Sequence, residues 1–332
     1  MRYRTIGQAA AQREVSVLAL GAMRFGTETD EDTSFAILDR YVEAGGTFID
    51  TSNNYAFWIN STQGGESEAL LGRWRRSRGV QSEIVIATKL GGRPVAAGLD
   101  FAETAKQENI EGLSASVIRE SAARSRELLG VDKIDLLYAH VEDPNVPVEE
   151  TVKGFADLVA EDMVGLLGVS NHWTWRVEQA RAAAAIAGLP GYEVLQYHHS
   201  YLRARTDLPG RRSVDGNQGL ATGEVLSYLR ANPGLTLVAY TPLLSGAYVR
   251  DDRPLGPAFD HAGTENRLAA VRAVAEQTGA TMNQVVLAWL MGGDLPIIPL
   301  VGASSIAQLN ESIDAVDLEL TGDQRARLDA AQ

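Results

Sequence analysis

The segment GTFIDTSNNY, residues 46–55, decides the fold and points to a function. A short apolar run ends in Asp50, and a polar, turn-forming run then leads to Tyr55. A surface loop requires neither a carboxylate at the end of a strand nor a phenol five residues later. An active site built from the loops that follow the strands of a barrel can use both.

Seven further apolar runs recur along the chain and are, like residues 47–50, typical of strands buried on both faces. Helical patterns with apolar spacings of three and four separate these runs. The runs are VSVLAL (15–20), EIVIATK (83–89), KIDLLYA (133–139), GLLGVS (165–170), YEVLQY (192–197), LTLVAY (235–240) and LPIIPL (295–300). Eight strands alternating with helices predict an α/β fold of the (β/α)8 TIM barrel type.

Other segments complete the predicted architecture. Residues 1–14 predict an N-terminal β-hairpin, residues 282–291 a helix before the eighth strand, and the final segment TGDQRARLDAAQ an extra C-terminal helix. A doubly wound sheet is the alternative fold, and it is disfavoured because no G-x-G-x-x-G follows any predicted strand. No linker or low-complexity tract is present, so we expect residues 1–332 to form a single domain.

The composition restricts the classes of partner. The chain has 332 residues, a hydrophobic content of 45% and a formal net charge of −13, which disfavours nucleic acid and anionic membranes as partners. The absence of cysteine excludes disulfides, thiol catalysis and Cys-ligated metal sites. The sequence contains neither a signal-peptide pattern nor a run of the ~20 apolar residues that a membrane span needs. We therefore expect a cytoplasmic protein with a small-molecule substrate.

Polar side chains stand at the ends of several predicted strands, where a barrel places its active site. Asp50 ends the second strand, Lys89 the third and His140 the fourth, and Tyr55 lies just beyond Asp50. Each has an ordinary structural explanation as a helix cap, a loop aromatic, an exposed lysine or a hydrogen-bonded histidine. Together they form a coherent proton-donating group.

Electrostatic arithmetic supports this interpretation. A free tyrosine titrates near pH ~10, too high for an efficient acid at neutral pH. A lysine ammonium at ~4 Å, in an effective dielectric of ~20, favours the phenolate by roughly 4 kcal/mol, or about three pKa units. An aspartate keeps that lysine charged and cancels part of the effect. An imidazole can donate a hydrogen bond to a carbonyl oxygen, so the set lacks only a hydride source.

At this point the sequence resembles the aldo-keto reductases over essentially its whole length, and it is most similar to their bacterial and potassium-channel β-subunit-like branches. The segments FIDTSNNY and GESEALLGRW are similar to the family motifs D-T-A-x-x-Y and G-x-S-E-x-x-L-G. Further segments follow in the family's order: GAMRFG, IATK, DLLYAH, GVSNH, VLQY, AYTPLLSG and IPLVGASSIAQLNES.

The resemblance implies a role for each matching residue. Tyr55 would be the general acid, tuned by Lys89 and Asp50, while His140 would orient the substrate oxygen. Hydride would pass from a nicotinamide cofactor to a carbonyl carbon, and no metal is needed. The residues implied in cofactor binding are Gly21, Met23, Asp50, Ser170, Asn171, Gln196, Tyr240, Leu243, Ser245, Gly246, Gly302, Ser304, Ser305, Gln308 and Ser312.

The choice of cofactor follows from the last of these segments. Family members that strongly prefer NADPH often place Lys or Arg against its 2′-phosphate, whereas IPLVGASSIAQLNES contains neither. Ser304, Ser305 and a helix N-terminus can still bind phosphate. NADPH is the predicted cofactor, with NADH or dual use as alternatives. The arginines of residues 201–212 either reach over the cofactor or form a solvated basic loop.

The loop after Tyr55 departs from the family pattern through the insertion AFWINSTQG. Phe57 and Trp58 therefore either pack this loop down or form an apolar wall of the substrate pocket, suited to a sugar face or an aryl aldehyde. The predicted function is an NAD(P)H-dependent oxidoreductase that reduces aldehydes or ketones. The alternatives are a nucleotide-sensing regulatory subunit with slow turnover and a dedicated keto-sugar reductase. Substrate, physiological direction and oligomeric state stay open.

Overall fold

The computed structural model of the chain describes residues 1–8, 11–80, 82–210, 212–213, 216 and 218–332. The chain begins with an antiparallel hairpin of β1 (Tyr3–Ile6) and β2 (Arg13–Ser16). Ile6 and Val15 of this hairpin are fully buried in one apolar cluster with Phe48 and Leu136 from the barrel interior. The hairpin therefore packs against the barrel core at the end where the strands begin.

Eight parallel strands form a closed barrel, which confirms the (β/α)8 prediction. They follow one another around the barrel in chain order, and the last strand closes the ring by pairing with the first. The strands are β3 (Ala19–Gly21), β4 (Phe48–Asp50), β5 (Val85–Leu90), β6 (Ile134–Ala139), β7 (Val164–Ser170), β8 (Val194–His198), β9 (Thr236–Tyr240) and β10 (Ile297–Gly302).

Helices connect the strands and surround the barrel. A plain alternation of strand and helix has no counterpart for the short helix at residues 57–60, for one of the two helices between β9 and β10, or for the last helix. The helices are α1 (Glu31–Glu43), α2 (Phe57–Asn60), α3 (Glu66–Arg78), α4 (Ala115–Leu129), α5 (Val148–Ala160), α6 (Thr174–Ala187), α7 (Gly223–Ala231), α8 (Ala262–Thr278), α9 (Met282–Met291), α10 (Ile306–Asp314) and α11 (Gly322–Ala330).

The first strand prediction was wrong in one respect, because residues 15–20 do not form a single strand. Ser16 ends the hairpin strand β2, and the barrel strand β3 begins only at Ala19. The buried hydroxyl of Ser16 donates to the backbone oxygen of Leu18 and also contacts the hydroxyl of Tyr41. These polar contacts hold a bend between hairpin and barrel that an apolar run cannot reveal.

The C-terminal helix was predicted correctly and begins with a capping box. The hydroxyl of Thr321 accepts from the backbone N–H of Gln324, whose side chain accepts in return from the backbone N–H of Thr321. In the described part of the chain, the helices are all too short or too polar to cross a membrane.

Candidate active site

Lys89 lies at the centre of the site, with its side chain fully buried at the carboxyl end of β5. Its ammonium donates to Asp50 at 2.5 Å, to the hydroxyl of Tyr55 at 2.9 Å and to the backbone oxygen of Thr51 at 2.7 Å. The second carboxylate oxygen of Asp50 accepts from the side-chain amide of Gln196 at 2.7 Å. The structure thus joins three of the predicted residues in one hydrogen-bonded group, and Gln196 extends that group to β8.

Local backbone pairing explains why Tyr55 reaches Lys89. Beyond the end of β4, the backbone N–H groups of Thr51 and Asn53 still donate to the backbone oxygens of Ala87 and Lys89 on β5. The loop therefore runs beside β5 before it turns. This path brings the phenol of Tyr55 back over the ammonium, which lies 4.7 Å from the centre of the ring.

The pKa values of this group do not follow the arithmetic made from the sequence. Burial raises the pKa of Tyr55, the ammonium of Lys89 opposes that change, and the charge of Asp50 raises the pKa further. The net direction is upward, so the expectation of a lowered Tyr55 pKa is wrong. Burial lowers the pKa of Lys89, but the negative charge of Asp50 and contact with Tyr55 outweigh it, and the net pKa is raised. The structure therefore favours a protonated phenol beside a charged ammonium.

His140 follows β6 and lies across the mouth from this group. Its ring meets that of Tyr55 edge to face, with the two centres 6.1 Å apart. Its Nδ1 atom is 3.1 Å from the hydroxyl of Ser52. The space beside the hydroxyl of Tyr55 and the ring of His140 is where a substrate oxygen can contact both.

A carboxylate outside the predicted set supports the two loops that carry Tyr55 and Lys89. One oxygen of Glu111 accepts from the side-chain amide of Asn53 at 2.8 Å and from the backbone N–H of Gly91 at 2.6 Å. Its other oxygen accepts from the hydroxyl of Ser121 on α4 at 2.7 Å. Glu111 thereby ties the loop after β4 to the end of β5.

Four of the residues predicted to bind the cofactor, Ser170, Asn171, Gln196 and Tyr240, lie together at or near the ends of β7, β8 and β9. The hydroxyl of Ser170 donates to the backbone oxygen of Gln196 at 2.8 Å, and the side-chain amide of Asn171 donates to the backbone oxygen of His140 at 3.0 Å. The hydroxyl of Tyr240 donates to the side-chain oxygen of Asn171 at 2.9 Å. These bonds hold polar amides and an aromatic ring at one side of the barrel mouth.

The turn after β9 contains strained backbone. Thr241, Leu244 and Ser245 have φ values of 54°, 49° and 57°, and Asn171 on the adjacent rim has 57°. Non-glycine residues in this left-handed region cost roughly 1–3 kcal/mol each, and they cluster at ligand sites. Leu243 and Gly246 lie in the same turn, whose backbone can approach an extended ligand closely.

At the start of α10, two hydrogen-bond donors of one serine converge on the side-chain oxygen of Gln308. The backbone N–H and the hydroxyl of Ser304 both donate to the side-chain oxygen of Gln308, at 2.9 and 3.0 Å. Ser305 caps the helix by accepting from the backbone N–H of Gln308. A phosphate oxygen can replace the amide oxygen on these donors, because a helix N-terminus favours an anion. The donor set therefore fits a phosphate-bearing cofactor.

Four other predicted cofactor residues complete this description. Gly21 ends β3, and Met23 lies in the loop after it with a partly exposed side chain. Gly302 ends β10 and is exposed, with space above its Cα for a ligand. Ser312 is buried, and its hydroxyl donates to the backbone oxygen of Gln308. Gly21, Met23 and Gly302 border the mouth, whereas the Ser312 hydroxyl is engaged within α10.

Comparison with known proteins agrees with this geometry. The sequence profile of the Aldo/keto reductase family matches residues 17–332. The chain belongs to the aldo/keto reductase family.

Three relatives of this chain illustrate the range of similarity. Norsolorinic acid reductase B of Aspergillus parasiticus is 33% identical over 97% of this chain and 82% of its own length. The oxidoreductase YrpG of Bacillus subtilis is 28% identical over 96% of this chain and 92% of its own. The aryl-alcohol dehydrogenase GME11368 of Pestalotiopsis microspora is 27% identical over 97% of this chain and 80% of its own.

Phe57 and Trp58 belong to an aromatic cluster with a residue that the sequence did not single out. Phe57 and Trp58 lie in α2, and their ring centres are 5.4 and 4.5 Å from that of Phe101 in the loop after β5. Phe57 is buried, whereas 44% of Phe101 is exposed. Hydrogen bonds also join these two loops, including one from the backbone N–H of Gly98 to the backbone oxygen of Ser61. The three rings form one cluster, which we call the aromatic wall; it follows Tyr55 in the loop after β4 and joins that loop to the loop after β5.

Two arginines of residues 201–212 have local partners. Arg205 pairs with Asp207, and Arg212 donates to the backbone oxygen of Thr104 in the loop after β5. Arg211 lies outside the described residues. These contacts are those of a surface loop that reaches a neighbouring loop. In the described part of the chain, no group of three or more His, Asp or Glu side chains is arranged as a metal site.

Glu68 is another buried group that the sequence analysis missed, although an acid on the inward face of a helical pattern is a readable signal. Its side chain is fully buried in α3 and accepts from the hydroxyl of Thr88, next to Lys89, at 2.6 Å. Burial raises the pKa of Glu68 to about 7, and the hydrogen bond from Thr88 offsets only part of that change. A carboxyl group whose pKa is raised to about 7 thus lies directly behind β5, the strand that carries Lys89.

Glu68 should make the free energy of unfolding depend on pH. Its folded pKa of about 7 exceeds the ordinary value of 4.5, so its contribution is greatest below pH 4.5 and is lost as pH rises through 7. Between pH 5.5 and 8.5, we expect wild type to lose about 2 kcal/mol relative to Glu68→Gln in urea unfolding. The exposed Glu108→Gln variant is the control and should follow wild type. Parallel pH profiles for wild type and Glu68→Gln would contradict this assignment.

Proposed function

We propose that this aldo/keto reductase reduces aldehyde or ketone groups to alcohols with NADPH, and that Tyr55 is the general acid. The observation that carries the proposal is the 2.9 Å hydrogen bond from the buried ammonium of Lys89 to the hydroxyl of Tyr55. Asp50 accepts a hydrogen bond from that ammonium, and Gln196 donates to the other carboxylate oxygen of Asp50. Such a group can lose a proton to a substrate oxygen and stabilise the phenolate that remains.

A bound reduced nicotinamide supplies the hydride. The hydroxyl of Tyr55 then gives its proton to the carbonyl oxygen as negative charge develops there. An alkoxide is a much stronger base than a phenolate, so this transfer is favourable even though the pKa of Tyr55 is raised. Lys89 remains charged throughout and stabilises the phenolate, while His140 contacts the substrate oxygen site from the opposite side.

NADPH is the proposed reductant because the start of α10 offers donors for a phosphate. Ser304 supplies an N–H and a hydroxyl, and Ser305 caps the helix. Asn171, Ser170 and Tyr240 would contact the nicotinamide at the other end of the cofactor. The turn from Leu243 to Gly246 would follow the pyrophosphate.

Aromatic carbonyl compounds are the proposed substrate class. In the aromatic wall, Trp58 and Phe101 pack against buried Phe57 and would offer flat apolar surface to a substrate held at Tyr55. Relatives named norsolorinic acid reductase and aryl-alcohol dehydrogenase support this choice. Those names describe the relatives, and the aromatic wall is the reason to extend the substrate class to this chain.

Replacing Tyr55 by Phe should abolish the proton donor and leave the barrel intact. With 4-nitrobenzaldehyde and NADPH, we expect kcat to fall by about 10²- to 10⁴-fold, since general acid catalysis contributes that much. The Kd for NADPH, measured by calorimetry, should change little. Tyr192→Phe, which removes a hydroxyl beneath β8 at the opposite end of the barrel, is the control and should retain activity. Full activity of Tyr55→Phe would refute the role assigned to Tyr55.

The cofactor preference is tested separately on wild type. A lower KM for NADH than for NADPH would refute it.

Replacing Phe101 by Ala should weaken the binding of aromatic substrates selectively. Aromatic contacts contribute ~1 kcal/mol beyond burial, so KM for 4-nitrobenzaldehyde should rise about fivefold, while KM for butanal stays nearly constant. Trp58→Phe preserves a ring and should have a smaller effect. If Phe101 only packs the loop, kcat will instead fall equally with both aldehydes.

A further inference from the structure

Tyr138 is a fully buried phenol in the barrel interior that the proposed reaction does not use. It lies on β6, paired with Lys89 on β5, and it belongs to the interior apolar cluster that also contains Leu136 and Val194. Within the described part of the chain, its hydroxyl makes no hydrogen bond. A buried hydroxyl without a partner destabilises the fold. What Tyr138 contributes must therefore come from its ring.

The ring of Tyr138 faces the ammonium of Lys89. Nζ of Lys89 lies over that ring, 5.9 Å from its centre, and over the ring of Tyr55, 4.7 Å from its centre. The three ammonium hydrogens are directed to Asp50, Thr51 and Tyr55. Attraction between a cation and the face of an aromatic ring needs no hydrogen bond, and it is strongest where water is excluded. The ring of Tyr138 can therefore stabilise the ammonium without competing for its hydrogens.

Gly168 makes the room for this ring. It is paired with Tyr138 on the neighbouring strand β7, and a Cβ added to it would lie 2.4 and 2.5 Å from Cδ1 and Cε1 of Tyr138. The same Cβ would also lie 3.0 Å from the backbone oxygen of Val194. Any side chain at residue 168 would therefore push the ring aside. The lack of a side chain there and the position of the Tyr138 ring are parts of one arrangement.

We propose that Tyr138 is a positioning residue: its ring and that of Tyr55 form an aromatic cage that shields the ammonium of Lys89 from water and keeps it in contact with the Tyr55 hydroxyl. We call these two rings the lysine cage. A lysine side chain is long and flexible. The ring of Tyr138 occupies space beside the ammonium that water, or the ammonium itself, would otherwise enter. The catalytic consequence of the lysine cage rests on the proposed reductase function, whereas the cage itself does not.

The small number of lysines makes the lysine cage measurable by nuclear magnetic resonance. The sequence has four, Lys89, Lys106, Lys133 and Lys153, and of these Lys89 alone is buried. At neutral pH the ammonium hydrogens of exposed lysines exchange with water too fast to give a signal, whereas those of a buried, hydrogen-bonded ammonium exchange slowly. With ¹⁵N-labelled lysine we therefore expect one ammonium signal at pH 7, and its loss in Lys89→Met assigns it.

The exchange rate of this ammonium with water tests the lysine cage directly. Tyr138→Leu removes the ring and should raise the exchange rate of the Lys89 ammonium about tenfold, the size expected for loss of a desolvated contact between a cation and a ring. Tyr138→Phe keeps the ring and should retain the wild-type rate. An unchanged rate in Tyr138→Leu would overturn the proposal. An equal increase in Tyr138→Phe would also overturn it, because the effect would then belong to the hydroxyl.

Two controls separate a local effect from a general loss of stability. Tyr192→Leu removes another buried ring, one that packs against Phe155 and not against Lys89, and should leave the exchange of the Lys89 ammonium unchanged. The slowest backbone amides of β7 and β8 report global unfolding. In Tyr138→Leu, exchange of the ammonium should accelerate more than exchange of these amides. Equal acceleration would mean that Tyr138 only stabilises the fold, which would overturn the proposal.

A pair of backgrounds tests the part played by Gly168. Gly168→Ala places a methyl group against the ring of Tyr138 and should lower the urea midpoint of unfolding. In the Tyr138→Leu background the same alanine meets a smaller side chain and should lower the midpoint less, so the double variant should fold even if Gly168→Ala alone does not. Gly223→Ala, where an added Cβ has nothing within 4 Å, is the control and should not lower the midpoint. Equal losses in both backgrounds would overturn the link between Gly168 and the lysine cage.

The pH profile of alcohol oxidation tests the catalytic consequence. With 4-nitrobenzyl alcohol and NADP⁺, Tyr55 must accept the alcohol proton as hydride leaves for the cofactor, so kcat rises with pH as the phenolate forms. Without the ring of Tyr138 the ammonium can move away from that phenolate. The rise in kcat should therefore move to higher pH in Tyr138→Leu and stay in place in Tyr138→Phe. An unchanged profile in Tyr138→Leu would overturn the catalytic role. No turnover by wild type would refute the reductase function, while the exchange experiment would still decide the lysine cage.

Discussion

The ammonium of Lys89, buried inside a closed barrel, is the constraint on which the rest of the site depends. An unpaired charge there would cost several kcal/mol, so the protein must surround it with acceptors. It does so with the carboxylate of Asp50, the backbone oxygen of Thr51 and the hydroxyl of Tyr55. The proton donor proposed for catalysis is therefore also part of what makes the buried charge tolerable. Gln196 extends the same arrangement across the barrel to β8.

Two further features follow from the position of this charge. The loops after β4 and β5 must stay together for Tyr55 to reach Lys89, and Glu111 joins them through Asn53 and Gly91. On the opposite rim, the strained turn after β9 and the donors at the start of α10 leave backbone and N–H groups accessible to an extended anionic ligand. The proposed reaction would take place where these two halves of the mouth meet.

Much of the fold could be predicted from the sequence because buried parallel strands read as continuous apolar runs. Asp50, Lys89 and Gln196 were recognisable because barrel closure brings the polar ends of such runs together. The raised pKa of Tyr55 could not be predicted, since residue spacing shows a nearby lysine but not the depth of burial. The contribution of Phe101 also escaped prediction. It depends on how two irregular loops pack, which neither periodicity nor spacing encodes.

The central claim is that Asp50 acts on catalysis through Lys89, as one unit. A double-mutant cycle on the single-turnover rate of hydride transfer, with Lys89→Met, Asp50→Asn and the double variant, tests it most directly. We expect the double variant to be about as slow as Lys89→Met alone, because Asp50 has no separate role once the ammonium is gone. If the two losses multiply instead, the residues act independently and the account of the buried charge is wrong.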